Sequence, residues 1–200
     1  MTDPGAAAFW EERWSGVLRE HADVVAQRPP SAYLTSMDLL PGKALDAGCG
    51  HGAETLWLAE RGWHVTAVDF SAAALTHASA AAEAAGLADR VDWVEGDLGV
   101  WAPEQNHYDL VVCLYVHVAG SVTEMVRRMA SGVAPGGTLL LAGHQPVDPA
   151  TGAATAAAGQ VQVSVDDAVG ALGGWTFLVA EERPRVAGGG VDAVVLAQRP

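Results

Sequence analysis

Basic residues are scarce in this chain. Eleven lysines and arginines stand against 24 aspartates and glutamates over 200 residues, a formal net charge of −13. Such a surface repels phosphate backbones, so nucleic acid is not an expected partner, and the charge serves mainly solubility. Cysteine is nearly absent. Cys49 and Cys113 fall at the ends of apolar stretches, without metal-ligand spacing, and read as reduced, buried thiols rather than a disulfide. The seven histidines are dispersed, so no metal site is expected. No apolar run is long enough to cross a bilayer, and the first residues lack the basic-then-apolar pattern of a secretion signal. A cytoplasmic protein with no membrane partner is the expectation. Lysine occurs once, at Lys43, so a Tyr-x-x-x-Lys hydride-transfer pair is missing.

What is present is organised around Ala44 to Ala53, ALDAGCGHGA. An apolar pair runs into Asp46, glycines follow at 48, 50 and 52, and helical sequence begins at once. This is a strand, a sharp glycine turn and a helix start whose first N–H groups are free. Gly48, Gly50 and Ala53 formally satisfy the dinucleotide pattern G-x-G-x-x-G/A, which is weak by itself. Asp46 argues against a dinucleotide, because a carboxylate at the strand end repels a pyrophosphate. S-adenosylmethionine (SAM) is net positive, with a sulfonium and an ammonium against one carboxylate, and suits an acidic lip. Asp69 lies about twenty residues past the turn, where an acidic residue holds ribose hydroxyls.

The segment LDAGCGHGAETLWLAERGWHVTAVDFSAAAL resembles the glycine-rich motif and second strand of class I SAM-dependent methyltransferases. More narrowly, it is similar to the small bacterial tellurite-resistance and thiopurine-methyltransferase-like group. The W-x-x-R-W segment at Trp10, Arg13 and Trp14 and the VAPGG turn at residues 133–137 extend the likeness. The resemblance implies a Rossmann-like α/β fold with a seven-stranded, mostly parallel sheet, helices on both faces and a C-terminal antiparallel hairpin. Residues 1–42 would form a helical lid on a SAM-binding core of residues 43–200. It further implies that Asp46, Gly48 and Gly50 hold the methionine end, Asp69 the ribose, and Asp97 and Leu98 the adenine, with Cys49, Phe70 and Cys113 also in the cofactor site. The product would be S-adenosylhomocysteine.

Pattern and punctuation place the elements. A first helix starts at Asp3-Pro4, with Trp10, Trp14, Val17, Leu18 and His21 on one face. A second spans Ser31 to Leu40. Strands are expected at 43–49, 64–69, 91–95, 109–116 and 138–142, and a hairpin at 176–186 and 191–198 across a turn at 188–190. Helices are expected at 53–61, from Ser71 to Ala85, from a Ser121/Glu124 capping box, and at 164–172. Residues 145–160 read as a linker. No internal repeat is evident.

The methyl acceptor is expected between the lid and the ends of the fourth and fifth strands. His117, whose ordinary pKa lies near neutrality, is the expected general base, and Tyr115 the expected orienting hydroxyl. His144 is a second base candidate, and His51 is expected to project to solvent, the alternative being contact with the cofactor's methionine end. A small-molecule acceptor, neutral or cationic, and a monomer or homodimer complete the reading. The alternatives are a non-catalytic SAM-binding module and an NAD(P)-dependent oxidoreductase.

Overall fold

Apart from Asp109, the run from Tyr108 to Leu114 is apolar without alternation because both of its faces are covered. In the computed structural model, which describes residues 7–148, 150–155, 161–185 and 190–200, this is β4, at the centre of a seven-stranded sheet. The order is β3-β2-β1-β4-β5-β7-β6. β1 (Lys43–Ala47), β2 (His64–Asp69), β3 (Val91–Glu95), β4 and β5 (Val133–His144) are parallel, and β7 (Val191–Gln198) runs antiparallel to both β5 and β6 (Thr176–Pro184). The expected architecture is therefore observed.

Side-chain alternation distributes β4 between two cores. Val111 and Cys113 join Met125 and Met129 of α5 (Val122–Gly132) and Leu172, which caps α6 (Val165–Ala171). Leu110 and Val112 join Leu58 of α3 (Ala53–Glu60) and Leu75 of α4 (Ala72–Ala84). Ser71, Ser121 and Ser164 cap their helices by accepting a backbone N–H. The reciprocal box forms at Ser164 with Asp167. At Ser121 only the serine half is made, because Glu124 pairs with Arg127 instead.

Several boundaries differ from expectation. β1 stops at Ala47 because Gly48 turns to φ +84°, and β4 stops at Leu114 because Tyr115 takes φ +58°. β5 begins at Val133, taking in the expected turn, with a register irregularity opposite Tyr108–Leu110. The second helix is one turn, α2 (Ala32–Thr35). Only Leu34 is buried on it and Leu40 is left 90% exposed, so no apolar face holds further turns. α1 (Ala7–Ala26) kinks at His21 (φ −141°, ψ 30°), which is exposed and leaves the expected apolar face. The expected start at Asp3-Pro4 and strand end at Val186 lie outside the described residues, as does most of the glycine turn before Val191. Of the expected linker, Val147 and Ala154 form an isolated antiparallel bridge.

Candidate active site

Parallel strands bring their carboxyl ends to one edge, and ligands bind in the crevice there. A cavity of about 510 Å³ opens at that edge, within the ~300–1,000 Å³ usual for ligand sites. Its lining comes from α1 (Phe9, Trp10, Arg13, Trp14), the glycine turn with Glu54, Asp69 and Phe70 at the end of β2, Leu98, residues 114–117, His144, Gln162 and Arg185.

The glycine turn needs its glycines. Gly48, Gly50 and Gly52 all have positive φ, and a Cβ on Gly50 would stand 2.9 Å from the Trp14 ring. Gly52 caps α3 without a side-chain hydrogen bond, so no side chain of the cap occupies the helix's first amides. Asp69 organises the turn from β2. Its Oδ2 accepts from Gly50 N–H and its Oδ1 from Ser71 N–H, each at 2.9 Å. Burial pushes its carboxyl pKa upward against these bonds.

Asp46 does not form the expected acidic lip. It is 3% exposed, lies outside the cavity lining and accepts a 2.6 Å hydrogen bond from Thr55 Oγ1. Burial, then the nearby Glu54, raises its pKa from 3.8 to about 8. The carboxylates that do face the cavity are Asp69 and Glu54, the latter accepting from Ser31 N–H at 2.9 Å. A group that holds its proton more tightly when folded stabilises fully below its unfolded pKa, and that contribution is lost as pH rises through the folded value. Asp46→Asn, which keeps an acceptor for Thr55, is expected to flatten the decline in stability between about pH 4 and pH 8. Urea denaturation of both proteins across that window checks it, and identical slopes would refute it.

The other cofactor-site expectations divide. Gly48, Cys49, Gly50, Asp69, Phe70 and Leu98 line the cavity. Asp97 does not. It is exposed, and its Oδ1 accepts from Gly99 N–H at 2.7 Å in a local turn. Cys113 is also outside, buried in the core with its Sγ 3.8 Å from Met125 Sδ and its thiol pushed up to about 12 by burial. His51 lines the cavity instead of projecting to solvent. Its ring lies 5.8 Å from that of Trp14, and burial, then Arg28, lowers its pKa to about 4. Lys43 Nζ, at the other end of β1, is 3.3 Å from His107 Nε2 and does not line the cavity.

Beyond the end of β4, His117 is 9% exposed and packs on Trp10 with ring centroids 4.9 Å apart. Gln162 Oε1 accepts from His144 N–H at 2.6 Å, so its amide NH₂ faces His117 Nε2 at 2.7 Å. His117 Nε2 must then act as acceptor and its proton sits on Nδ1. The lone pair expected to serve as base is already engaged. Tyr115 donates its hydroxyl to Asp192 Oδ2 at 3.0 Å, and burial, then Asp192, raises its pKa, so its single proton is committed. His144 Nδ1 lies 2.8 Å from Asp192 Oδ1, and its ring stacks on Tyr115 at 4.3 Å. Tyr33 Oη donates to Asp192 Oδ2 at 3.3 Å, and Arg185 Nε is 3.4 Å from Oδ1.

Sequence reasoning missed Asp192, Arg185, Gln162 and Glu54. For Asp192 a signal existed: a carboxylate inside the otherwise apolar strand VDAVVLA. Such a residue is almost never fully buried unless it is paired.

A family model described as a methyltransferase domain matches residues 44–137. The ribosomal RNA small subunit methyltransferase C of Alcanivorax borkumensis is 35% identical over 111 residues, 52% of this chain and 33% of that protein. A trans-aconitate 2-methyltransferase of Streptomyces avermitilis is 35% identical over 144 residues, 68% of this chain and 51% of that protein. The chain thus spans between a third and a half of the length of these relatives. Among solved structures, the 1,6-didemethyltoxoflavin-N1-methyltransferase of Burkholderia thailandensis, with its substrate and S-adenosylhomocysteine bound, superposes with a TM-score of 0.69 at 19% identity, covering 100% of this chain and 93% of that one. That likeness establishes the fold.

Proposed function

We propose that this chain, which matches a methyltransferase-domain family model over residues 44–137, is a class I SAM-dependent methyltransferase that transfers a methyl group from SAM to a small-molecule acceptor and releases S-adenosylhomocysteine. The observation that carries the reading is the single cavity in which the glycine turn and Asp69 face the aromatic wall of α1. The residues present suit SAM. Gly48 and Gly50 have no Cβ to obstruct a close approach, Asp69 and Glu54 supply negative charge, and Phe70 and Leu98 offer apolar surface. We assign the methionine end to the backbone of Gly48, Cys49 and Gly50. The ribose goes to Asp69, whose oxygens keep lone pairs after the Gly50 and Ser71 bonds. The adenine goes to Phe70 and Leu98, with Asp97 and Cys113 left out. Bound SAM supplies a methyl on a sulfonium, which is already a good leaving group.

The protein's work is then to align acceptor and methyl and to exclude water, and alignment is worth up to ~7–11 kcal/mol. α1 serves as the lid, supported by Trp14 against Gly50 and Trp10 against His117. The lid of residues 1–42 on a core of residues 43–200 belongs to this proposal, as does the narrower tellurite-resistance and thiopurine-like likeness, which rests on the segment from Leu45 to Leu75 and is extended by Trp10, Arg13 and Trp14. A small molecule is favoured over RNA because the net charge of −13 opposes a polyphosphate and the cavity is pocket-sized.

A thermal-shift titration with SAM and S-adenosylhomocysteine beside NAD and NADP tests it. The sulfur cofactors alone are expected to raise Tm, by an amount equivalent to about 2.7 kcal/mol at a hundredfold excess over Kd. Stabilisation by NAD instead would sink the reading. An acceptor screen that finds no turnover in a protein that binds SAM would make it a non-catalytic SAM-binding module.

A further inference from the structure

Behind the cavity wall, the buried carboxylate of Asp192 gathers the side chains of Tyr115, Tyr33, His144 and Arg185 on itself. We infer that His144, oriented by Asp192, takes the proton of the methyl acceptor, and that the acceptor is accordingly a hydroxyl or N–H compound rather than a thiol. This rests on the transferase reading above and names its substrate class.

Asp192 is 1% exposed. Its Oδ2 receives the hydroxyls of Tyr115 and Tyr33, and its Oδ1 faces His144 Nδ1 and the Arg185 guanidinium. A carboxylate that receives two hydroxyls and faces a guanidinium serves here as the acceptor. His144 must therefore donate through Nδ1–H. That tautomer places the basic lone pair on Nε2, the nitrogen turned away from Asp192, on a ring that lines the cavity. The same carboxylate stabilises the imidazolium once a proton arrives, the orienting role an aspartate plays for a histidine base.

Two further features mark the place. Tyr115, which stacks on His144 and donates to Asp192, holds φ +58°, a conformation disfavoured for a bulky side chain and retained where the surroundings over-determine it. The rival histidine is disqualified by its own partner, since the Gln162 amide occupies His117 Nε2. Gln162 also ties the two together by accepting His144 N–H.

The chemistry balances without an oxidant or a metal. A lone pair of the acceptor oxygen or nitrogen forms the bond to the methyl carbon. The carbon–sulfur bond breaks and its electron pair stays on sulfur, giving a neutral thioether. The acceptor's proton passes to His144 Nε2 and then to solvent. A thiol ionises readily near neutrality and gains little from such a base. A phenol, enol or heteroaromatic N–H gains typically about 10²–10⁴-fold.

Long-range ¹H–¹⁵N NMR of the ligand-free, histidine-labelled protein at neutral pH tests the arrangement directly. His144 is expected as the Nδ1–H tautomer, with that preference lost in Asp192→Asn. An Nε2–H tautomer in the unsubstituted protein overturns the inference. In a screen with catechol, benzimidazole and thiophenol, followed by S-adenosylhomocysteine release, the first two classes are expected to turn over. His144→Gln should then lower kcat by about 10²–10⁴-fold with SAM affinity unchanged. Thiophenol as sole acceptor, or catechol turnover surviving His144→Gln, overturns it. Loss of SAM binding in the unsubstituted protein, or an empty screen with SAM bound, would instead remove the transferase reading and this inference with it. Should Asp192→Asn fail to fold, the tautomer in the unsubstituted chain and His144→Gln still decide.

Discussion

Asp69→Ala is expected to weaken SAM binding by at least about 100-fold, or about 2.7 kcal/mol, and to abolish the thermal shift at cofactor concentrations that saturate the unsubstituted protein. Two losses combine. The ribose hydroxyls lose a charged acceptor, and hydrogen bonds to charged groups contribute ~1.5–3 kcal/mol. The Gly50 and Ser71 amides, which both donate to this carboxylate, are left without it. The first distorts the turn and the second loosens the start of α4. Asp69→Asn keeps one acceptor oxygen and is expected to fall between the two. Isothermal titration with SAM, on variants whose circular dichroism is unchanged, is the measurement. Equal affinity in Asp69→Ala would place the cofactor elsewhere.

Gly48→Ala is expected to destabilise the fold by about 2–5 kcal/mol and to lose SAM binding with it. Gly48 holds φ +84°, which costs an L-residue ~1–2 kcal/mol. Its Cβ would also stand 2.4 Å from Val116 Cγ2, and such overpacking typically costs about 1–3 kcal/mol. The two components separate in a double-mutant cycle. Val116→Ala removes the clash and leaves the backbone strain, so the pair should recover part of the stability but not all of it. Urea midpoints of the four proteins decide the matter. Full recovery would mean the backbone is unstrained, and no recovery would mean the clash is absent.

Much of this architecture was legible in the chain because it depends on neighbours in sequence. β2 and β3 begin and end where period and composition place them, since Gly62 at φ +91° and Gly96 punctuate a continuous apolar pattern. Ser71 and Ser164 cap helices because a short hydroxyl side chain reaches the amide three residues on, whatever the rest of the fold does. The glycine turn was legible for the same reason, since its φ values are local demands. The limits of this reading show at α2, where propensity suggested ten residues and the absence of a buried face allowed four.

The site itself was legible only in part, because a side chain's role depends on what faces it across the fold. Sequence placed Asp46 correctly at the end of β1 but not its direction, and tertiary packing turned it down onto Thr55, behind the turn instead of at its lip. Sequence placed His117 and His144 after β4 and β5. Which partner each histidine meets was decided by the fold, which brings Gln162 to His117 and Asp192 to His144 from 45 and 48 positions away. Local pattern thus determined the strands, the caps, the glycine turn and the family likeness, all fixed by interactions within a few residues. Only the folded chain decided which partner each histidine meets and which carboxylate faces the cavity, because hydrogen-bond partners and desolvation are properties of the assembled sheet edge.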